Sequence, residues 1–352
     1  MKTRVLPLGV WLLALPLAAA AASNGGGTNV KLTRLENSVR VEIGGELFTE
    51  YVIKGASRPY LYPVLAADGT QLTRDFPQKQ TPGEDTDHPW HRSIWFAHSF
   101  VNGIDFWNEE GGDLARSPKE KGRIEHAALL ETKDGAVGTI RASHRWVAPD
   151  RSLICTDEQT LRFHANATGR FIDYEITLRA LPDKPLVLGD NKDGTMATRL
   201  AQWMTMPHLV DAKDAAGKTM KDANGKNVKR DSGGKGHIVT AKGDRDSAAW
   251  GKRAEWCDYH AERNGKTYGI AIFDNPKNIQ HPTWWMVREY GLFAANPFGW
   301  HDYEPKTTQP RAGEQTIPAG GSLTLRYRLM FHLGDEVEAK VAENYQNYAA
   351  GK

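Results

Sequence analysis

Cysteine is nearly missing from this chain. Cys155 and Cys257 are the only two in 352 residues. They either pair across a long loop, in an oxidising compartment, or stand as two buried thiols. Neither sits in a reactive context, so a cysteine nucleophile is unsupported. A charge excess of one sign is also missing: the formal net charge is +2, with acids and bases interspersed. No basic patch of the kind that binds nucleic acid results. Beyond residue 22 no window approaches the roughly 20 apolar residues of a membrane helix. No GxGxxG or P-loop pattern follows a strand, which argues against a nucleotide-binding fold. No G-x-S-x-G elbow is present, which disfavours Ser-His-Asp chemistry.

What is present begins with a secretory signature. Lys2 and Arg4 precede an apolar run from Val5 to Ala19, and alanines before Ser23 offer cleavage sites. Residues 1–22 therefore read as a signal peptide, 23–30 as a flexible leader and 31–352 as a single domain. The expected location is periplasmic or secreted. With 11 Trp, 11 Tyr and 11 Phe, the mature chain can build a sizeable core.

The patterning is β. Val39, Val41 and Ile43 alternate with polar residues, as do Ile172, Tyr174, Ile176 and Leu178, and Leu323, Leu325, Tyr327 and Leu329. Asp68-Gly69, Asp134-Gly135, Asn224-Gly225 and Asn264-Gly265 mark hairpin turns. Asp211 to Gly236 is polar and reads as an exposed excursion between strands. Helical periodicity is confined to Asp335–Ala349, with Val337, Val341, Tyr345 and Tyr348 on one face. The fold class expected is all-β: one large antiparallel β-sandwich closed by a short C-terminal helix.

Chemistry concentrates in Asp85–Gly112, DTDHPWHRSIWFAHSFVNGIDFWNEEGG. Imidazoles and carboxylates exchange protons near neutral pH, and indoles offer flat apolar faces for a partly polar ring. Pro89 disfavours helix at His88, so His88 and His91 are expected on a bend where both imidazoles converge. A metal would need a third ligand, His98 or a distant carboxylate; proton transfer or hydrogen bonding to a ligand is favoured, and no cofactor is expected. Asn102-Gly103 predicts a hairpin that brings His98 near Asp105 to Glu109, as an acid and base pair. A second concentration, Asp274–Glu304, repeats the His-Pro and Trp chemistry with His281, Trp284, Trp285 and Trp300. Arg288 and Glu289 are adjacent, so in a strand only one enters a pocket, and Arg288 suits a carboxylate or a hydroxyl-rich ligand. The loop Gly189–Gly194, with Lys192, is followed by Arg199 and lines a cleft in this reading.

Four blocks, RPYLYPVLAADGTQLTRDFP, DHPWHRSIWFAHSFVNGIDFW, AWGKRAEW and HPTWWMVREYGLFAANPFG, resemble the bacterial family labelled PmoA-like. The resemblance runs from Arg58 to Leu329. It implies exported proteins of polysaccharide-degrading bacteria, all-β and similar to the supersandwich, galactose-mutarotase-like domains of aldose epimerases. It places His88, His91, Arg92, His98, Asn102 and Asp105 in one group, and His281, Arg288, Glu289 and Asn296 in another. Members commonly carry His where this chain has Trp90 and Met286, so a three-histidine metal arrangement is not implied here.

The expected function is that of an exported carbohydrate-active enzyme working by acid–base chemistry: hydrolysis, elimination or epimerisation. His88, His91 or His98 would move the proton, with Glu109 or Glu289 as carboxylate counterpart. Arg92, Trp90, Asn102, Asp105, Trp107, Lys192, Arg199, His281, Trp285, Arg288 and Asn296 would hold the carbohydrate. A non-catalytic glycan-binding protein would use the same indoles, and a metal-dependent oxygenase is the third reading.

Overall fold

Strands that alternate apolar and polar residues need a second sheet to cover the apolar face, and this chain supplies two of equal size. The computed structural model describes residues 29–109, 120–214, 217–309 and 311–351. The expected signal peptide, most of the leader and Glu110 lie outside those residues; the leader's last residue, Val30, opens the first strand.

The first sheet has eight antiparallel strands in the order Val30–Arg34, Ser38–Ile43, Glu46–Val52, Tyr60–Val64, Ile94–His98, Gly194–Arg199, Leu292–Asn296 and Trp284–Val287. The second, also of eight, runs Gly236–Thr240, Trp256–Arg263, Lys266–Asp274, Ser322–Leu333, Gly169–Ala180, Leu153–Asn166, Gly138–Val147 and Arg123–Lys133. The antiparallel β-sandwich expected from the sequence is the fold found. Asn264 and Gly265, both at positive φ, close the hairpin between Trp256–Arg263 and Lys266–Asp274. The stretch Asp211 to Gly236 carries its own small ladder, Leu209–Asp211 on Lys229–Asp231.

Aromatic contacts mark which faces meet. Phe48 packs edge-on against Phe331 at 5.2 Å. Phe96 stacks on Tyr174, and Phe293 lies 6.2 Å from Tyr259. Phe96 and Phe293 therefore face the second sheet. By strand alternation and register, Trp95, Ala197, Arg199, Leu292, Ala294 and Met286 project from the opposite, outer face. That outer face is covered by loops rather than by a third sheet, and it is where the cavity described below lies.

The C-terminal helix is shorter than its periodicity suggests. It spans Val341–Ala349, because the Asp335 carboxylate caps the backbone N–H groups of Val337 and Glu338 and holds a turn there. Val337 is consequently 73% exposed, whereas Tyr345 and Tyr348 pack on Phe273 as expected. Cys155 and Cys257 are both buried and unpaired. Among the described residues no helix is long and apolar enough to cross a membrane.

Candidate active site

The turn His88-Pro89-Trp90-His91 closes with the His91 N–H donating to the His88 carbonyl at 3.0 Å. Pro89 fits its second position, and His88 takes a left-handed conformation, φ 43°. The bend folds the two imidazoles onto each other, 4.7 Å apart and 6° from parallel. His91 stacks in turn on Trp95 at 5.2 Å, and His88 on Tyr290 at 5.3 Å. Trp95, His91, His88 and Tyr290 thus form a column rising from the outer face of the first sheet.

Hydrogen-bond partners fix the two rings differently. His88 Nδ1 meets the Asp87 carboxylate, which only accepts, so Nδ1 carries a proton. In the neutral ring Nε2 is then an acceptor. His91 Nδ1 receives an N–H from Arg199 at 3.1 Å, and a guanidinium only donates. The His91 proton is therefore on Nε2, which has no partner among the described residues. Burial, reinforced by Arg199 and His88, lowers the His91 pKa well below the usual imidazole value and keeps it neutral.

Asp87 anchors this arrangement. Arg74 and Arg199 each reach its Oδ1 at 2.5 Å. Burial raises the Asp87 carboxyl, but Arg199, the His88 hydrogen bond and Arg74 outweigh it and hold the pKa well below the carboxylate range. Arg74, itself buried, is lowered to about 10, mainly by burial and then by Arg199.

His91, His88 and Tyr290 of this column form one side of a cavity of about 230 Å³, lined also by Trp90, Trp107, Trp250, Met286, Leu292, Lys192, Asp193 and Arg288. This is below the roughly 300–1,000 Å³ of drug-sized sites, and fits one sugar ring rather than a chain. Strand register places Lys192 and Asp193 at the far end: Gly194 pairs with His98, whereas Thr198 pairs with Ile94 beside the histidine turn. Lys192 Nζ bonds Asp193 at 2.8 Å. Burial raises the Asp193 pKa against the opposing pull of Lys192. Asn296 is fully buried and donates to the Asn191 and Lys192 carbonyls at 2.9 and 2.8 Å, so it positions this loop without reaching the cavity. Arg288 enters from the turn Arg288–Gly291 between Trp284–Val287 and Leu292–Asn296, not from a strand. A larger cleft of about 550 Å³ beside Gly169 and Phe331 offers one histidine, His332, whose Nε2 is taken by Asp258.

Several residues expected at the site lie elsewhere. The Asn102-Gly103 hairpin forms, but it does not pair His98 with a carboxylate. His98 Nε2 donates to the Gly189 carbonyl at 2.7 Å, and burial lowers its pKa to about 4. Glu109 is held by Arg92 through two bonds of 2.8 and 2.7 Å and by Ser57 at 2.7 Å. Burial raises its pKa, yet Arg92 and Arg58 bring it down to about 2. Asp105 accepts from the Trp107 and Asn108 backbone and from Lys121, and Asn102 staples the loop at Pro185 and Val187; both are structural. His281 is bound by Asp274 at 2.7 Å, and Trp285 is a core residue whose indole donates to the Ala254 carbonyl. Glu289 is exposed and is not among the residues that line the cavity.

Of the expected residues the cavity gathers His88, His91, Trp90, Trp107, Lys192 and Arg288, with Arg199 behind His91. Sequence reasoning missed Arg74, Tyr290 and the anchoring role of Asp87. The adjacency Asp87-His88 was the one legible signal. Among the described residues one side-chain group meets the spacing for a metal ion, Asp258, His260 and Glu336, and Asp258 and His260 belong to the second sheet. The three histidines His88, His91 and His98 do not form such a group.

Similar solved structures include the alpha-galactosidase from Lactobacillus brevis, 8% identical with a TM-score of 0.37, covering 87% of this chain and 39% of that one. A galactose mutarotase-like protein from Clostridium acetobutylicum is 9% identical, TM-score 0.37, covering 87% and 98%. Another from Lactobacillus casei is 9% identical, TM-score 0.35, covering 86% and 100%. This chain thus spans well under half of the galactosidase and nearly all of the two smaller proteins. No curated protein matches the sequence. The family that does match extends over residues 38–346. It corrects the PmoA-like relation read from the sequence blocks: the chain belongs to the family of unknown function DUF6807.

Proposed function

We propose that the protein is an exported carbohydrate-active enzyme that moves a proton on a single sugar residue, in elimination or epimerisation. The observation that carries this reading is the stacked pair His88 and His91, held in opposite hydrogen-bonding states by Asp87 and Arg199. His88 Nε2 is a base oriented by a carboxylate behind it, the arrangement that general-base catalysis requires. His91 stays neutral and offers Nε2–H to an oxygen on which negative charge develops, as a buried neutral imidazole can. Trp90, Trp107 and Trp250 supply the apolar faces that a sugar ring packs on. Lys192 is the proton donor at the far end. Hydrolysis by paired carboxylates is less well supported, because among the described lining residues Asp193 is the only carboxylate.

The test is incubation of the full chain in deuterated water with a panel of glycosides and oligosaccharides, neutral, acidic and oxidised. Deuterium incorporation or an unsaturated product, lost in His88→Ala, supports the reading. Binding without exchange or turnover across the panel overturns it in favour of a glycan-binding protein.

A further inference from the structure

Arg288 differs from the other arginines around the cavity. Arg74 and Arg199 share Asp87, and Arg92 and Arg58 share Glu109. Arg288 has neither an ion pair nor a side-chain hydrogen bond among the described residues. Its guanidinium lies 5.6 Å from the Trp250 ring centroid and 5.9 Å from that of Tyr290, so two aromatic rings hold it. A fork of five donors is thereby presented, unpaired, on a cavity wall. The remaining lining groups add to the donor surplus. Lys192 neutralises Asp193, His91 offers Nε2–H, and Trp90, only 8% exposed, leaves its indole N–H without a partner among the described residues. Among the lining side chains one cation thus stands in excess, in a space that fits one sugar ring.

We infer that the sugar bound here carries a carboxylate, and that Arg288 grips it: the substrate class is a uronic acid or its glycoside. An arginine fork matches a carboxylate through two parallel hydrogen bonds, which a hydroxyl cannot provide. This inference rests on the proposed acid–base reading and sharpens it. A carboxylate held by Arg288 acidifies the hydrogen on the adjacent ring carbon, the proton that His88 is placed to remove. In elimination, that C–H bond breaks and its electron pair forms a carbon–carbon double bond. The neighbouring carbon–oxygen bond breaks, and the departing oxygen takes a proton from Lys192. No oxidant or water is consumed.

The experiment is calorimetric titration of the full chain with methyl glycosides of glucuronate, galacturonate and mannuronate, each beside its neutral hexose counterpart. At least one uronate is expected to bind about tenfold or more tightly than its neutral partner, a difference that Arg288→Gln removes. Arg288→Lys, which keeps the charge but not the fork, should recover only part of it. Glu289→Gln, next door and exposed, controls for folding and should bind as the unaltered chain does. Equal binding of acid and neutral sugar, no binding of any uronate, or uronate binding that survives Arg288→Gln overturns the carboxylate assignment. The acid–base reading fails separately, if a selectively bound uronate, offered also with a second sugar linked through its 4-oxygen as leaving group, shows neither deuterium exchange nor an unsaturated product.

Discussion

His88 and His91 lie face to face, 4.7 Å apart, and yet show the cavity opposite characters: one a lone pair, the other a proton. The difference is imposed from behind, by a carboxylate on the first and a guanidinium on the second. Asp87→Asn should therefore do more than remove a charge. The amide can donate to His88 Nδ1, which moves the ring proton to Nε2 and abolishes the base. Proton-exchange activity is expected to fall on the order of 10²–10⁴-fold, the scale for disrupting an oriented base. Because Arg74 and Arg199 lose their shared anion, chemical denaturation should show lower stability as well. Full activity in the Asp87→Asn variant would show that the tautomer is irrelevant.

The pH dependence of folding has a specific contributor in His98. Its imidazole titrates near 6.5 when unfolded and at about 4 in the folded chain, where burial disfavours the cation. Between those values the unfolded chain binds the extra proton, so stability falls as pH drops from 6.5 toward 4 and is fully present above 6.5. The contribution is about 3 kcal/mol across that window. Urea unfolding from pH 4 to 7.5 should show this slope, and His98→Gln should flatten it. An unchanged slope in the variant would exclude His98 as the source.

Glu109 is predicted to matter for stability and not for chemistry. It is the shared anion of Arg92 and of Arg58, and the Arg58 guanidinium also donates to the Trp90 and Trp107 carbonyls. Glu109→Gln leaves a buried cation uncompensated, a change that costs about 2–4 kcal/mol in partly buried pairs. Denaturant midpoints should fall accordingly, with proton exchange kept within a few-fold. A hundredfold loss of exchange in a folded variant would instead make Glu109 part of the chemistry.

These contrasts show what the sequence could and could not reveal. Strand periodicity at Val39–Ile43 or Ile172–Leu178 is local, and alternation alone reports which face is buried. The bend at His88-Pro89 was legible for the same reason, because proline restricts its immediate neighbour. Partner choice is not local. His98 and Glu109 stand near each other in the chain, but Gly189 and Arg92 claim them, and nothing at their own positions records that competition. Tyr290, one end of the ring column, comes from a turn about 200 residues away from His88. Register across the strands Ile94–His98, Gly194–Arg199 and Leu292–Asn296 brings these parts together, and single-sequence patterning does not carry register.

That remote turn supplies the last prediction. Gly291 closes it at φ 86°, a left-handed conformation that costs an L residue roughly 1–2 kcal/mol. A Cβ there would also stand 3.0 Å from Thr205 Cγ2 and 3.3 Å from Leu200 Cβ, both on the loop that follows Gly194–Arg199. Gly291→Ala must shift either that loop or the turn, and the turn carries Arg288 and Tyr290. Gly265 offers the control: its φ is 75°, an added Cβ meets nothing within 4 Å, and its hairpin belongs to the second sheet. Both alanine variants should lose about 1–2 kcal/mol in denaturant unfolding. Only Gly291→Ala should also weaken binding of a sugar ligand, because only it moves cavity walls. Equal ligand affinity in the two variants would mean that the Arg288–Gly291 turn does not shape the site.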